Sequence, residues 1–146
     1  MIIDNPAARQ AAEETRRWVD RAVIGLNLCP FAKAVQAKGQ VRYAVSDATE
    51  EEGVLADLED ELMQISEADP QAIDTTLLIL PEALHDFYAF NDFGDAADRL
   101  LKRMRLVGTL QVATFHPAFQ FADTGPDDIG NYTNRSPYPT LHLIRE

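Results

Sequence analysis

The sequence predicts an α/β layered sandwich. A four-stranded mixed sheet should have its first three strands parallel and its fourth as an antiparallel edge, with helices packed against it. Two observations carry this. Short apolar or alternating runs alternate with longer stretches of helical period, the pattern of strand–crossover–strand units. The last strand-like run, by contrast, follows a long loop with no helix in it, so it should return antiparallel.

The elements follow in order. The first helix should open at Asn5, with Pro6 at the first helical position, where its missing N–H costs nothing. Ala11, Thr15, Trp18, Ala22, Leu26 and Cys29 recur at three- and four-residue steps and form one buried stripe. Pro30 interrupts it, and a short helix from Phe31 to Lys38 should follow, stopped by Gly39. Val41, Tyr43 and Val45 alternate with Arg42, Ala44 and Ser46, as a strand does. Thr49 and Glu52 have the spacing of a capping box, and Val54, Leu55, Leu58, Leu62 and Ile65 mark an amphipathic helix ending near Pro70. The run from Thr75 to Leu80 suits a strand buried on both faces. Leu84, Phe87, Tyr88, Ala97, Leu100, Leu101 and Met104 outline a long helix, which Asn91, Asp92 and Gly94 could bend. Gly108 closes that connection. Leu110 to Phe115 is the third strand and Tyr138 to Arg145 the fourth.

All 146 residues fit a single domain, because two halves would each be too small for a good core. No apolar run reaches the roughly 18 residues a membrane-spanning helix needs. The start of the chain lacks the basic and apolar stretches of a signal peptide, and a lone cysteine forms no internal disulfide. A cytoplasmic protein is expected. A net charge of −11 argues against nucleic acid and anionic membranes as partners. That charge is uneven. Glu50, Glu51, Glu52, Asp57, Glu59, Asp60 and Glu61 crowd one segment, which reads as a solvent-facing helix surface without a metal. Arg16, Arg17 and Arg21 cluster in another.

Parallel strands end on one edge of a sheet, so Asp47, Pro81 and His116 should share it, and open α/β sheets bind ligands at that edge. The short helix spans roughly 12 Å and would return Cys29 towards it. The loop from Pro117 to Pro137 should stay on the same side. Loops of this length without regular structure are usually functional or disordered, and Phe119, Phe121 and Tyr132 argue for order. Its Gln120, Asn131, Asn134, Arg135 and Ser136 could supply donors to a small anionic ligand. Equally, Arg135 could pair with Asp127 or Asp128 while the asparagines cap turns.

Cys29 has three readings: a small core residue, a thiolate favoured by a helix start, or a metal ligand with His116 and His142. His116 could move a proton or hold an anion, or simply bond loop backbone. His142, inside a strand, reads as structural, and His85 as a surface residue. No Gly-rich phosphate loop, nucleophile elbow, zincin helix or EF-hand occurs, so no cofactor and no metal is expected.

Several blocks resemble a known family. They are Trp18-Val19 with Ala22 to Ala32, then Phe115-His116-Pro117, Phe119-Gln120-Phe121 and Asn134 to Leu143. Together they are similar to an uncharacterised bacterial family, domain of unknown function 1415. The resemblance brings no activity and no catalytic residues with it. It does imply that similar members continue past a strand like Leu141 to Arg145 into a further helix, which this sequence, ending at Glu146, is expected to lack. Two functions therefore stand open. One is a small-molecule enzyme with Cys29 as nucleophile, His116 as base and Arg135 holding an anion. The other is a non-catalytic module that uses the long loop to bind a ligand or a protein.

Overall fold

The computed structural model describes residues 1–24, 39–122, 124–125, 127, 131 and 134–146. In chain order these form β1 (Ile2–Ile3), α1 (Pro6–Trp18), a π-helical stretch (Val19–Ile24), β2 (Val41–Ser46) and α2 (Glu51–Glu67). They continue as β3 (Thr75–Ile79), α3 (Phe87–Arg103), β4 (Leu110–Phe115) and β5 (Thr140–Arg145). No helix among them is long and apolar enough to cross a membrane.

The strands make one open mixed sheet of five, ordered β1-β2-β3-β5-β4. This corrects the expected sheet in two ways. Ile2–Ile3 pairs antiparallel with Val45 and Ser46, a two-residue strand too short to show a period. The last strand is not an edge: it lies between β3 and β4 and is antiparallel to both. Only β2 and β3 are parallel neighbours. The reason lies in composition. Thr140, Leu141 and Leu143 of β5 are buried, as an interior strand requires, while β4 exposes Gln111. Because β5 opposes both neighbours, β2, β3 and β4 still point the same way, and the expected shared edge survives.

Alternation then sorts the core into two faces. On one, α2 and α3 press Leu58, Leu62, Phe90 and Leu100 against Ala44, Leu78, Leu141 and Leu143, all buried. On the other, Ala8 and Ala11 of α1 meet Val45 and Ile79. Farther along α1, the Trp18 ring lies edge-on to Phe115, centroids 5.0 Å apart. This helix therefore runs across the strands, from β2 to the end of β4.

Local chemistry explains the helix ends. The Asn5 side chain accepts the Ala8 N–H at 2.8 Å, with Pro6 at the first helical position as expected. The capping box at Thr49 does not form. Glu50 is the cap residue, without a side-chain cap bond, and the Ala48 N–H turns to the Ser46 hydroxyl at 3.0 Å. At the far end of α2, the Arg145 guanidinium donates to the carbonyls of Ile65, Ala68 and Ile73 at 2.8, 3.2 and 2.7 Å. It caps acceptors that a helix end leaves open. Leu84 falls outside α3, in a left-handed turn with φ 55°, and Asp86 caps the helix by accepting from Ala89 N–H. Asn91, Asp92 and Gly94 do not interrupt α3, and Tyr88 is 79% exposed rather than core.

The acidic segment also departs from expectation. Asp57 and Glu61 are buried, at 4% and 3% exposure, while Glu51, Glu52 and Asp60 face solvent. Arg42 on β2 clasps Glu61 through Nε at 2.7 Å and Nη2 at 3.3 Å. Asp57 accepts from the Met1 amine at 2.7 Å and the Ser46 hydroxyl at 2.5 Å. Charge on a helix face is hidden here because the neighbouring strand supplies its partner.

Candidate functional site

The carboxyl ends of β2, β3 and β4 define one edge of the sheet. Thr140, the first residue of β5, pairs with both Ile79 and Phe115 there. The segment joining β4 to β5 is sewn to this edge at both ends. The His116 N–H donates to the Asn134 carbonyl at 3.0 Å, and the Leu80 N–H donates to the Pro139 carbonyl at 2.8 Å. The Asn134 amide also donates to the Thr114 carbonyl at 3.2 Å.

His116 is the pin of this arrangement. It is 1% exposed, and Phe87 and Phe90 flank its ring at 5.3 and 4.9 Å between centroids. The Ala118 N–H donates to Nδ1 at 3.0 Å, so Nδ1 carries no proton. Nε2 then donates to the Leu84 carbonyl at 3.0 Å. Burial lowers the imidazole pKa, which favours the same neutral form. The ring thus holds the left-handed Leu84 turn to the loop, and neither nitrogen is spare for moving a substrate proton in this geometry.

The other predicted donors behave alike. Asn131, fully buried, accepts the Phe121 N–H at 2.9 Å and donates to the Gly125 carbonyl at 3.0 Å. The Ser136 hydroxyl donates to the Tyr138 carbonyl at 2.5 Å, and the Gln120 amide donates to the Thr124 carbonyl. Arg135 sends Nε to the Phe119 carbonyl at 2.9 Å. Gln120, Asn131 and Ser136 are spent on the backbone around them, while Arg135 is braced there through Nε. Cys29 lies outside the described residues, so its convergence with His116 and Arg135 does too.

His142 is structural in its contacts. Its Nε2 donates to the Thr75 hydroxyl at 2.7 Å, and that hydroxyl donates to the Leu143 carbonyl at 2.7 Å. Burial pushes its pKa down to about 4. His85 is exposed and bonds the Pro81 carbonyl. Among the described residues, no three His, Cys, Asp or Glu side chains are grouped to hold a metal ion.

What sequence reasoning missed is a groove beside the same edge. An open hollow of about 450 Å³ is lined by Glu14, Arg17, Trp18, Arg21 and Pro137. Tyr138, next to the lining Pro137, donates to Glu14 Oε2 at 2.5 Å. That bond holds the Glu14 carboxyl below its usual range and pushes the Tyr138 phenol up to about 12. The signal was present in the arginine cluster around the chain's one tryptophan, but Trp18 read as a member of the buried stripe.

A mixed α/β domain with a braced segment at the carboxyl edge is the class these observations define. Residues 10–146 match the family described as Protein of unknown function (DUF1415), and the chain belongs to it. No curated protein and no solved structure matches it.

Proposed function

We propose that the protein binds a small anionic ligand at the carboxyl edge of its sheet, with Arg135 as the residue that holds the anion. The braced loop is the observation that carries this reading. With Nε bonded to the Phe119 carbonyl, the plane of the Arg135 guanidinium is set before any ligand arrives. Preorganised donors lose less on binding than mobile ones. Gln120, Asn131, Asn134 and Ser136 support the site by fixing the backbone rather than by touching the anion. A reducing, cytoplasmic compartment suits a chain with one cysteine.

Binding takes precedence over catalysis because the acid–base partner of the enzymatic reading, His116, has both ring nitrogens engaged. Thermal melts in millimolar inorganic phosphate and in acetate test the proposal. Anion at about 100 times its dissociation constant stabilises by about 2.7 kcal/mol, a rise of several degrees in melting temperature. Arg135→Gln should abolish that rise. Equal rises in wild type and variant, or none in either, would overturn the assignment. The same samples decide the enzymatic alternative. Alkylation of Cys29 that stays fast well below about pH 8.5 would mark an activated thiolate and favour catalysis.

A further inference from the structure

We infer that the groove at the end of α1 binds a ring-bearing organic phosphate or carboxylate, with Arg17 and Arg21 meeting its charge and Trp18 its ring. This rests on the anion-binding reading above and adds a ligand class to it. The groove opens beside the same edge, since Trp18 packs on Phe115, the last residue of β4. Its opposite wall is Pro137, two residues past Arg135.

The balance of charge within the groove is positive. Both carboxylate oxygens of Glu14 are occupied, Oε2 by the Tyr138 hydroxyl and Oε1 by the Gln10 amide at 3.0 Å. Arg17 leans on Glu13 at 3.3 Å, an exposed pair of little strength. Arg21 forms no ion pair with any described residue and is exposed. Cations near a helix C-terminus also answer its dipole, and that accounts for Arg16 and Arg17 in the last α-helical turn. Arg21 holds the matching place in the last turn of the π-helical stretch beyond, so the groove's cations gather at the end of the helix. Wide π turns are rare and recur at functional sites.

The hollow of about 450 Å³ falls within the size range of small-molecule sites. Arginine forks suit phosphate and carboxylate, while a half-buried indole favours a flat ring over a hydrated inorganic ion. A neutral aromatic compound would leave the arginines unanswered. Inorganic phosphate would leave the indole unused.

Trp18, as the chain's one tryptophan, reports on the groove directly through its fluorescence. Phenyl phosphate titrated into the whole protein should change that emission saturably. It should bind about tenfold tighter than inorganic phosphate, and Arg21→Gln or Arg17→Gln should weaken it about tenfold. Both variants alter exposed side chains, and an unchanged melting temperature without ligand confirms that they fold. A flat emission trace, or arginine variants that bind like wild type, would overturn the inference. If phenyl phosphate raises the melting temperature through Arg135 while Trp18 stays silent, the anion site stands and the groove does not. A saturable Trp18 response that needs Arg21 but not Arg135 supports the groove and refutes the role given to Arg135.

Discussion

The two faces of the sheet are built on different terms. Under α2 and α3 the strands present Ala44, Leu78, Leu141 and Leu143 to helical leucines and phenylalanines. Under α1 the next residues along the same strands are Val45, Ile79, Thr140 and His142, and among the described residues Ala8 and Ala11 meet the first two, with Ile3, Ala12, Tyr43 and Tyr138 packed alongside. Polar and aromatic contacts stand beside them: Thr75 bonds His142, Tyr138 bonds Glu14, and Trp18 lies edge-on to Phe115. Among the described residues the α2/α3 face holds the larger apolar cluster and the α1 face a smaller one, beside which the groove opens.

The largest expected effect tests that division. Leu78→Ala removes a fully buried side chain from the α2/α3 face and should cost about 2–5 kcal/mol. Val45→Ala on the α1 face loses two methyl groups and should cost about 1.6 kcal/mol. Urea midpoints measure both. A Val45 loss equal to the Leu78 loss would mean that the α1 face is as essential to folding as the other.

The next effect is on pH. His142 has its pKa depressed by burial to about 4, and His116 is lowered as well. An unfolded chain takes up protons near pH 6.5 while these folded imidazoles stay neutral, so stability is full above about pH 6.5. It falls as pH drops from there towards about 4, by at most about 3 kcal/mol for His142. Glu14, whose folded pKa is lowered, adds a separate loss at more acid pH. In His142→Asn the slope between pH 6.5 and 4 should shrink. An unaltered slope would show that the α1 face admits water freely around this ring.

How much of this was legible follows from the range of the interactions. The helix start at Asn5 and Pro6 and the run from Thr75 to Leu80 depend on neighbours in sequence, and the structure repeats them. The place of β5 depends on which strands it meets, which no local pattern encodes, and Ile2–Ile3 is too short to have a pattern. Asp57 and Glu61 looked like solvated charge because their partners, the Met1 amine and Arg42, lie 56 and 19 residues away. The loop's importance could be read from its length and its amides. Their use could not, because they bond to backbone, and every residue offers the same backbone.

Buried charge on α2 sits between the two extremes. Glu61→Gln leaves Arg42 without its carboxylate, and the loss should be about 2 kcal/mol, less than for a fully buried pair because Arg42 is one-third exposed. A double-mutant cycle with Arg42→Met isolates the pair. A coupling below about 0.5 kcal/mol would class it with ordinary surface bridges.

The smallest effect bears most directly on the α1 face. Tyr138→Phe keeps the ring and removes only the bond to Glu14, so about 1 kcal/mol should be lost, or about 2–4 °C in melting temperature. The loss should vanish in a Glu14→Ala background, since the hydroxyl then has no carboxylate to meet. Glu14→Gln should retain part of it, because an amide oxygen still accepts the hydroxyl proton but carries no charge. The substitution also frees one Glu14 oxygen beside Arg17 and Arg21. Phenyl phosphate should therefore bind Tyr138→Phe more weakly than wild type, although nothing that contacts the ligand has been removed. If stability falls while binding is unchanged, Tyr138 is only a strut between α1 and the lead-in to β5. If both change, the bond also keeps the Glu14 charge from competing for the arginines.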